Sequence, residues 1–387
     1  MKALRGGKIL TGRTWCEGKA LLFDDRIRDI VPEGAVPSDV ESVTEAEGAW
    51  VAPGFLDIHV HGVCGADTMD ASSASLERIA EALTAHGVTA FCPTTMTMDE
   101  PHIDAALQAV HTAMTTPPRR GARVLGAHLE GPFLSRSRCG AQDGTFVRRP
   151  DPDFVRRRQQ ALRLVTFAPE EDEEWRFLDA LRETAIVPSL GHSSATYERA
   201  MEAFRRGARS ATHLFNGMVP FHHRRPGLPG AALDADVTCE LIADGVHTHP
   251  AVFRLVLAMK GKDRLVLVSD AMRGSCLGEG TWDLGGQTVT VRGEEATLPD
   301  GTIAGSILTL DRALRNFAAE TGLPLWEAVR LVSGNPARLL GEKDRGRIEP
   351  GCRADFVLLD ESWRVRKTFV AGEEVFDDHA RRDCTGL

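Results

Sequence analysis

Between residues 54 and 269 the chain alternates short apolar runs with longer stretches whose apolar residues recur every three or four positions. The runs are FLDIHVH (55–61), VTAFC (88–92), RVLGAHL (123–129), RLVTFA (163–168), IVPSL (186–190), ARSATH (208–213), TCELIA (238–243) and RLVLVS (264–269). These are eight strand candidates. The intervening SLERIAEALTAHG, EEWRFLDALRETA and TYERAMEAFRRG carry helical spacing, and two of them stop at glycine. Such β/α units predict an α/β fold, a (β/α)8 TIM-like barrel over residues 51–340, rather than an open doubly wound sheet.

Outside that region the texture changes. Residues 1–50 and 341–387 hold short strand and turn signals such as GKILTG, GKALLFDD and ADFVLLDESWRVRKTFVAGEEV. They predict one small β-sandwich domain built from both ends of the chain. LTLDRALRNFAAE and LPLWEAVRLVSGNPARLLG read as the helices that close the barrel region, and QTVTVRGEEATL as an inserted hairpin.

Composition narrows the function classes. With 387 residues, 42% hydrophobic and 26% charged, the chain reads as an ordinary soluble protein. The net charge of -9 argues against a nucleic-acid partner. No apolar stretch approaches the roughly 18 residues of a membrane span, and MKALRGGKIL lacks a secretory h-region, so a cytoplasmic location is expected. Eight cysteines at 16, 64, 92, 139, 239, 276, 352 and 384 form no C-x-x-C pair. They signal neither a zinc ribbon nor a disulfide framework, and Cys64 and Cys139, near the motifs below, read as structural filler. No G-x-G-x-x-G or G-x-x-x-x-G-K-S/T follows a strand, which removes the usual nucleotide signatures.

The chemistry sits at strand ends. His59 and His61 are two apart in a strand, so both face one side, as half a metal site or as a hydrogen-bonded pair. Glu130 directly follows the third run, His213 ends the sixth, and His192 and Asp270 follow the fifth and eighth. Barrel enzymes draw their functional residues from these C-terminal strand ends. Oxygen and nitrogen donors suit zinc, iron or manganese and leave room for water, which points to hydrolysis. Asp270 is a carboxylate placed to take a proton from water and return it to a leaving amine; an ordinary helix N-cap is its alternative reading. No lysine occurs between Lys19 and Lys260, so a carboxylated lysine cannot bridge two metals from a middle strand. His128 shares a face with Glu130 and could support it, while His86, His102 and His111 read as groups of the outer helices. His222, His223 and His249 have no spacing that demands a metal.

PGFLDIHVHG, HLEGPF, GHSSA, ATHLFNGM, RRPGLPGA, IADGVHTHP, VSDAM, IAGSILTL and GRIEPGCRADFVLLD together resemble the N-acetylglucosamine-6-phosphate deacetylases of the amidohydrolase superfamily. The resemblance runs in that family's order from about residue 50 to the end. It implies that Glu130, His192 and His213 hold the main metal and that Asp270 is the general base and acid. His59 and His61 imply a second metal, so one or two divalent ions per subunit, zinc foremost, with iron, manganese or cobalt as alternatives. It also implies that Asn216, Gly217 and His247 bind the sugar phosphate, and that Ile303, Ala304 and Gly305 meet the acetyl end. The resemblance further implies that Arg224 reaches the phosphate in a neighbouring subunit, and hence a homodimer. Ala141 and Gln142 fall at the sugar-contacting loop, with Gln142 where many relatives carry histidine. The reaction implied is hydrolysis of N-acetyl-D-glucosamine 6-phosphate to D-glucosamine 6-phosphate and acetate. N-acetylgalactosamine 6-phosphate or another N-acyl amino sugar is the alternative substrate, and a catalytically inactive sensor of such phosphates the alternative role.

Overall fold

The computed structural model describes residues 1–117 and 120–379. The eight apolar runs form β1 (Phe55–Val60), β2 (Val88–Pro93), β3 (Ala127–Glu130), β4 (Leu162–Phe167), β5 (Val187–Leu190), β6 (Ser210–Ala211), β7 (Thr238–Ile242) and β8 (Leu265–Val268). β1 pairs with β2, and β3 through β8 pair in chain order, all in parallel. At the two remaining seams Thr94 bridges His128 and Val60 bridges Ala271, again in parallel. The result is a curled parallel sheet in a mixed α/β fold.

Two runs deliver less strand than their apolar length implies. RVLGAHL breaks at Gly126, whose φ of 126° leaves Arg123–Val124 paired with β2 and starts β3 afresh at Ala127. ARSATH yields only two strand residues, because the backbone is already turning at His213.

Helices follow the strands on the outside. Ser73–Thr84 begins where the Ser72 hydroxyl accepts from the Ser75 amide, and it buries Leu76, Ile79, Ala80 and Leu83. Tyr197–Arg206 ends at Gly207, in the left-handed conformation that closes a helix without a Cβ clash. LPLWEAVRLVSGNPARLLG divides into Leu325–Ala328, a 3-10 turn at Val329–Leu331, and Gly334–Leu340. Strands and helices share one core, which includes Phe55, Phe91, Phe167, Phe177, Phe253 and Phe317. Among the described residues, no helix is long and apolar enough to cross a membrane.

The two chain ends meet. Trp50–Pro53 pairs in parallel with Lys8–Thr11 and antiparallel with Phe356–Leu359, joining N- and C-terminal strands in a six-stranded sheet. A four-stranded sheet from Lys2–Arg5, Lys19–Phe23, Ile27–Pro32 and Ser42–Glu45 packs beside it. Leu4, Leu21 and Phe23 from the second sheet meet Ile9, Val51, Phe356 and Phe369 from the first in one core, where Phe23 and Phe356 stack edge to face with centroids 5.1 Å apart. Residues 380–387 of the C-terminal segment, with Cys384, lie outside the described residues. The inserted hairpin is a three-stranded sheet, Gly280–Leu284, Gln287–Arg292 and Glu295–Thr297, because Glu295–Thr297 adds to its edge. Its core of Leu284, Val289 and Val291 packs on Met96 and Met272, beside the strand ends.

Candidate metal centre and substrate cavity

The strand ends bend so that their side chains face inward. His192, His213 and Asp270 each lie two residues beyond a strand and have φ of 46°, 29° and 49°. Positive φ is costly for residues with a Cβ, and such strain clusters where a site dictates side-chain direction. Asp270 begins no helix, so the N-cap alternative fails. Its amide donates to the His59 carbonyl at 2.9 Å, and the His61 amide donates to the Ala271 carbonyl at 2.9 Å, which locks β1 to the turn after β8.

Six side chains from five strand ends converge there. Glu130 Oε1 lies 2.9 Å from His213 Nε2, 3.2 Å from His192 Nε2 and 3.5 Å from His59 Nε2; its Oε2 lies 3.2 Å from His61 Nε2. Asp270 Oδ1 is 3.3 Å from Nε2 of both His59 and His61. The donors fall into two buried groups, Glu130 with His192 and His213, and Asp270 with His59 and His61, each with its ligand atoms within 4.8 Å of one another.

These donors fit a cation. The Nε2 atoms of His192 and His213 point at each other across 3.1 Å, an arrangement two bare lone pairs would repel and a shared positive centre satisfies. His59 Nε2 is buried without a hydrogen-bond partner among the described residues. On the far side of two rings, His192 Nδ1 meets the Arg138 carbonyl at 2.8 Å and His59 Nδ1 meets Glu240 at 3.1 Å. Each acceptor keeps a proton on Nδ1 and leaves Nε2 free to bind inward.

The electrostatics are those of matched opposite charges out of water. Burial would raise the Glu130 carboxyl, but the charge of His59 and the contacts of His192 and His213 hold it well below the usual range. Asp270 is likewise depressed by His59 and His61 against its burial. Burial pulls the His61 imidazole down, yet the hydrogen bonds it donates to Asp270 and Glu130, and their charges, lift it to about 9. His128 is pushed well below its ordinary value, by burial first and by His59 next, and its neutral ring meets the Thr166 hydroxyl at 2.7 Å.

A cavity of about 240 Å³ opens onto these groups. Ala141, Gln142, Asn216, Gly217, His247, Ile303 and Gly305 line it together with His61, Glu130, His192, His213 and Asp270, while Met96 and Leu284 give an apolar wall. His247 is held by Asp244, whose Oδ2 lies 2.6 Å from Nδ1; burial works against protonation of the ring and Asp244 more than offsets it. Gly217 must be glycine, since φ is 60° and a Cβ would stand 2.7 Å from His192 Nδ1.

Three expected contacts are placed differently. Ala304 does not line the cavity: it is fully buried in the core of the inserted sheet, its amide donating to the Ala296 carbonyl. Arg224 faces a separate cavity with Tyr197, His222 and Arg138. Gln142 lines the cavity, but its side-chain amide is engaged at both ends, Oε1 accepting from the Thr97 amide at 2.6 Å and Nε2 donating to Glu130 Oε2 at 2.7 Å. Two buried carboxylates escaped notice in the sequence. Asp57 accepts from the His59 and Ser269 amides, and burial raises it to about 6. Glu240 contacts His59 from behind. An acid inside an apolar run, two residues before His59 or in mid-strand, was the available signal.

Residues 50–375 match the Amidohydrolase family. The N-acetylglucosamine-6-phosphate deacetylase of Bacillus subtilis (strain 168) is 40% identical over 332 residues, covering 84% of each chain. The chain belongs to the amidohydrolase family, among its N-acetylglucosamine-6-phosphate deacetylases. The N-acetylgalactosamine-6-phosphate deacetylase of Escherichia coli O157:H7 is 35% identical over 96% of this chain and 98% of its own. A solved structure of an N-acetyl-D-glucosamine-6-phosphate deacetylase mutant from Mycobacterium smegmatis, in complex with N-acetyl-D-glucosamine-6-phosphate, superposes with a TM-score of 0.89 at 33% identity, covering 97% of this chain and 99% of that one. In this amidohydrolase the strand-end donors and the lined cavity therefore occupy one connected site.

Proposed function

We propose that the chain hydrolyses N-acetyl-D-glucosamine 6-phosphate to D-glucosamine 6-phosphate and acetate. The observation that carries the reading is the convergence of Glu130, His192, His213, His59, His61 and Asp270 beside a sugar-sized cavity. Glu130, His192 and His213 would hold the main divalent ion, and His59 and His61, beside Asp270, a second; zinc suits the donor set best, with iron, manganese and cobalt as alternatives. When bound, such an ion supplies Lewis acidity, polarising an amide carbonyl and acidifying water.

The protein's own groups do the rest. Asp270, kept ionised by His59 and His61, accepts a proton from water and returns it to the leaving amine. His247, fixed by Asp244, and the backbone around Ala141, Asn216 and Gly217 orient the sugar. Ile303 and Gly305, at the cavity wall, meet the acetyl methyl. Arg224 would serve the phosphate of a neighbouring subunit in a homodimer. Its place outside the cavity supports this, as does Phe221, 54% exposed three residues earlier. The reading includes a closed (β/α)8 barrel over 51–340, a small β-sandwich domain from 1–50 and 341–387, and a cytoplasmic location.

The test is acetate release by zinc-loaded protein from N-acetylglucosamine 6-phosphate and, separately, from its galacto epimer, a second reading favoured by the Escherichia coli relative. Turnover of the gluco substrate with a slower galacto reaction is expected. Faster galacto turnover reverses the assignment, and binding without turnover of either would make the chain a sensor.

A further inference from the structure

Glu240 stands in the middle of β7, fully buried, between Cys239 and Leu241 on the opposite face of the strand. Burying an ionised carboxylate is unfavourable unless a partner compensates it. Its Oε2 lies 3.1 Å from His59 Nδ1 and accepts from the His213 amide at 3.3 Å, while Oε1 has no hydrogen-bond partner among the described residues. The Glu240 carbonyl also accepts from the Leu214 amide at 2.9 Å. One residue thus holds a ring of one donor group and the backbone of a residue in the other.

We infer that Glu240 is a positioning residue that fixes the His59 ring for the ion at His59, His61 and Asp270 and ties the two donor groups together. The inference rests on the proposed metal centre and deepens it. His59 is set apart from the other rings. His192 Nδ1 meets only a neutral carbonyl, and the Nδ1 atoms of His61 and His213 have no hydrogen-bond partner among the described residues. A carboxylate behind an imidazole selects the tautomer protonated at Nδ1, raises the basicity of Nε2 and holds the ring plane. His59 Nε2 is also the ring atom that faces both acidic donors, Asp270 at 3.3 Å and Glu130 at 3.5 Å. Loss of the Glu240 charge should therefore weaken the ion at His59 and His61 more than the ion at Glu130, His192 and His213.

The test is a zinc titration of metal-stripped wild type and Glu240→Gln against a competing chelator, with the melting temperature of each metal-free protein. Glutamine keeps the shape and an acceptor oxygen, so the metal-free melting temperature is expected to stay unchanged. Wild type should take up two zinc ions per chain. In Glu240→Gln one ion should bind as before and the other roughly 10- to 100-fold more weakly, the usual cost of losing such a support. Two ions bound with wild-type affinity would overturn the inference and leave the metal centre standing. Equal weakening of both, in step with a lower metal-free melting temperature, would mean a purely structural role. A wild-type chain that takes up fewer than two ions overturns the two-ion reading and the inference with it. If Glu240→Gln does not fold, ring-nitrogen NMR of zinc-loaded wild type decides: a proton on His59 Nδ1 supports the inference and its absence overturns it.

Discussion

Glu130 and His213 are 83 residues apart along the chain, and Glu130 Oε1 lies 2.9 Å from His213 Nε2. No local preference brings them together. β3 and β6 are separated by two further strands of the curled sheet, and the contact exists because Glu130, at the end of β3, and His213, two residues past β6, turn toward the same interior. The candidate site is therefore built at strand ends, held in place by the fold around them.

Asp270 is proposed to move the proton while standing beside the ion at His59 and His61, apart from the group of Glu130, His192 and His213. Asp270→Asn keeps the shape but cannot take a proton. Turnover should fall by about 10²- to 10⁴-fold, the usual range for a lost general base. Zinc bound at Glu130, His192 and His213 should be retained, as metal analysis of the purified variant would show. Unchanged turnover would remove Asp270 from the proton-transfer role.

Gly217 tests how tightly the centre is built. Alanine there would put a Cβ 2.7 Å from His192 Nδ1 and force a left-handed backbone on a residue that resists it by about 1–2 kcal/mol. Gly217→Ala is expected to lower the melting temperature and to displace the His192 ring, reducing zinc affinity as well as turnover. Calorimetry with zinc on the stripped protein would report both effects.

Gln142 joins the 139–145 segment to the centre through Thr97 and Glu130. Gln142→Ala frees that segment and leaves the Thr97 amide without its acceptor, at a cost of about 1–3 kcal/mol for a buried group. KM should rise more than kcat falls, since the segment borders the cavity while Asp270 is untouched. Steady-state kinetics separates the two parameters, and an unchanged KM would place substrate contacts elsewhere.

A second acid test lies away from the centre. Burial would raise Asp311, but its hydrogen bond and charge interaction with His86, and the charge of Arg315, hold it well below the usual carboxylate range. A depressed folded value means the unfolded chain binds the proton first. The stabilisation is therefore complete above roughly pH 4, the unfolded value, and is lost as pH falls through the lower folded value. Asp311→Asn should flatten the acid limb of a melting-temperature profile. An acid limb identical to wild type would show that Asp311 titrates normally.

The sequence made the strands legible where burial on both faces left a continuous apolar run, as in TCELIA and RLVLVS, and failed where the backbone turned early, as at His213. The donors were legible because a histidine or acid at the end of an apolar run contradicts its surroundings. Glu240 contradicted its surroundings too, but a mid-strand acid announces no partner, and His59 lies 181 residues away. The amide of Gln142 could be assigned to the sugar-contacting loop, but not to Thr97 and Glu130, because those contacts arise only when the segment folds back over β3. Ala304 was drawn toward the cavity by its neighbours Ile303 and Gly305, although it packs into the core of the inserted sheet with Val289 and Ala296.

Acetate release from N-acetylglucosamine 6-phosphate, followed as chelator-stripped protein is titrated with zinc, tests the whole account most directly. The stripped protein should be inactive, with turnover returning and saturating once the donor groups at Glu130 and His59 are filled. Full turnover by the stripped protein before any zinc is added would contradict it.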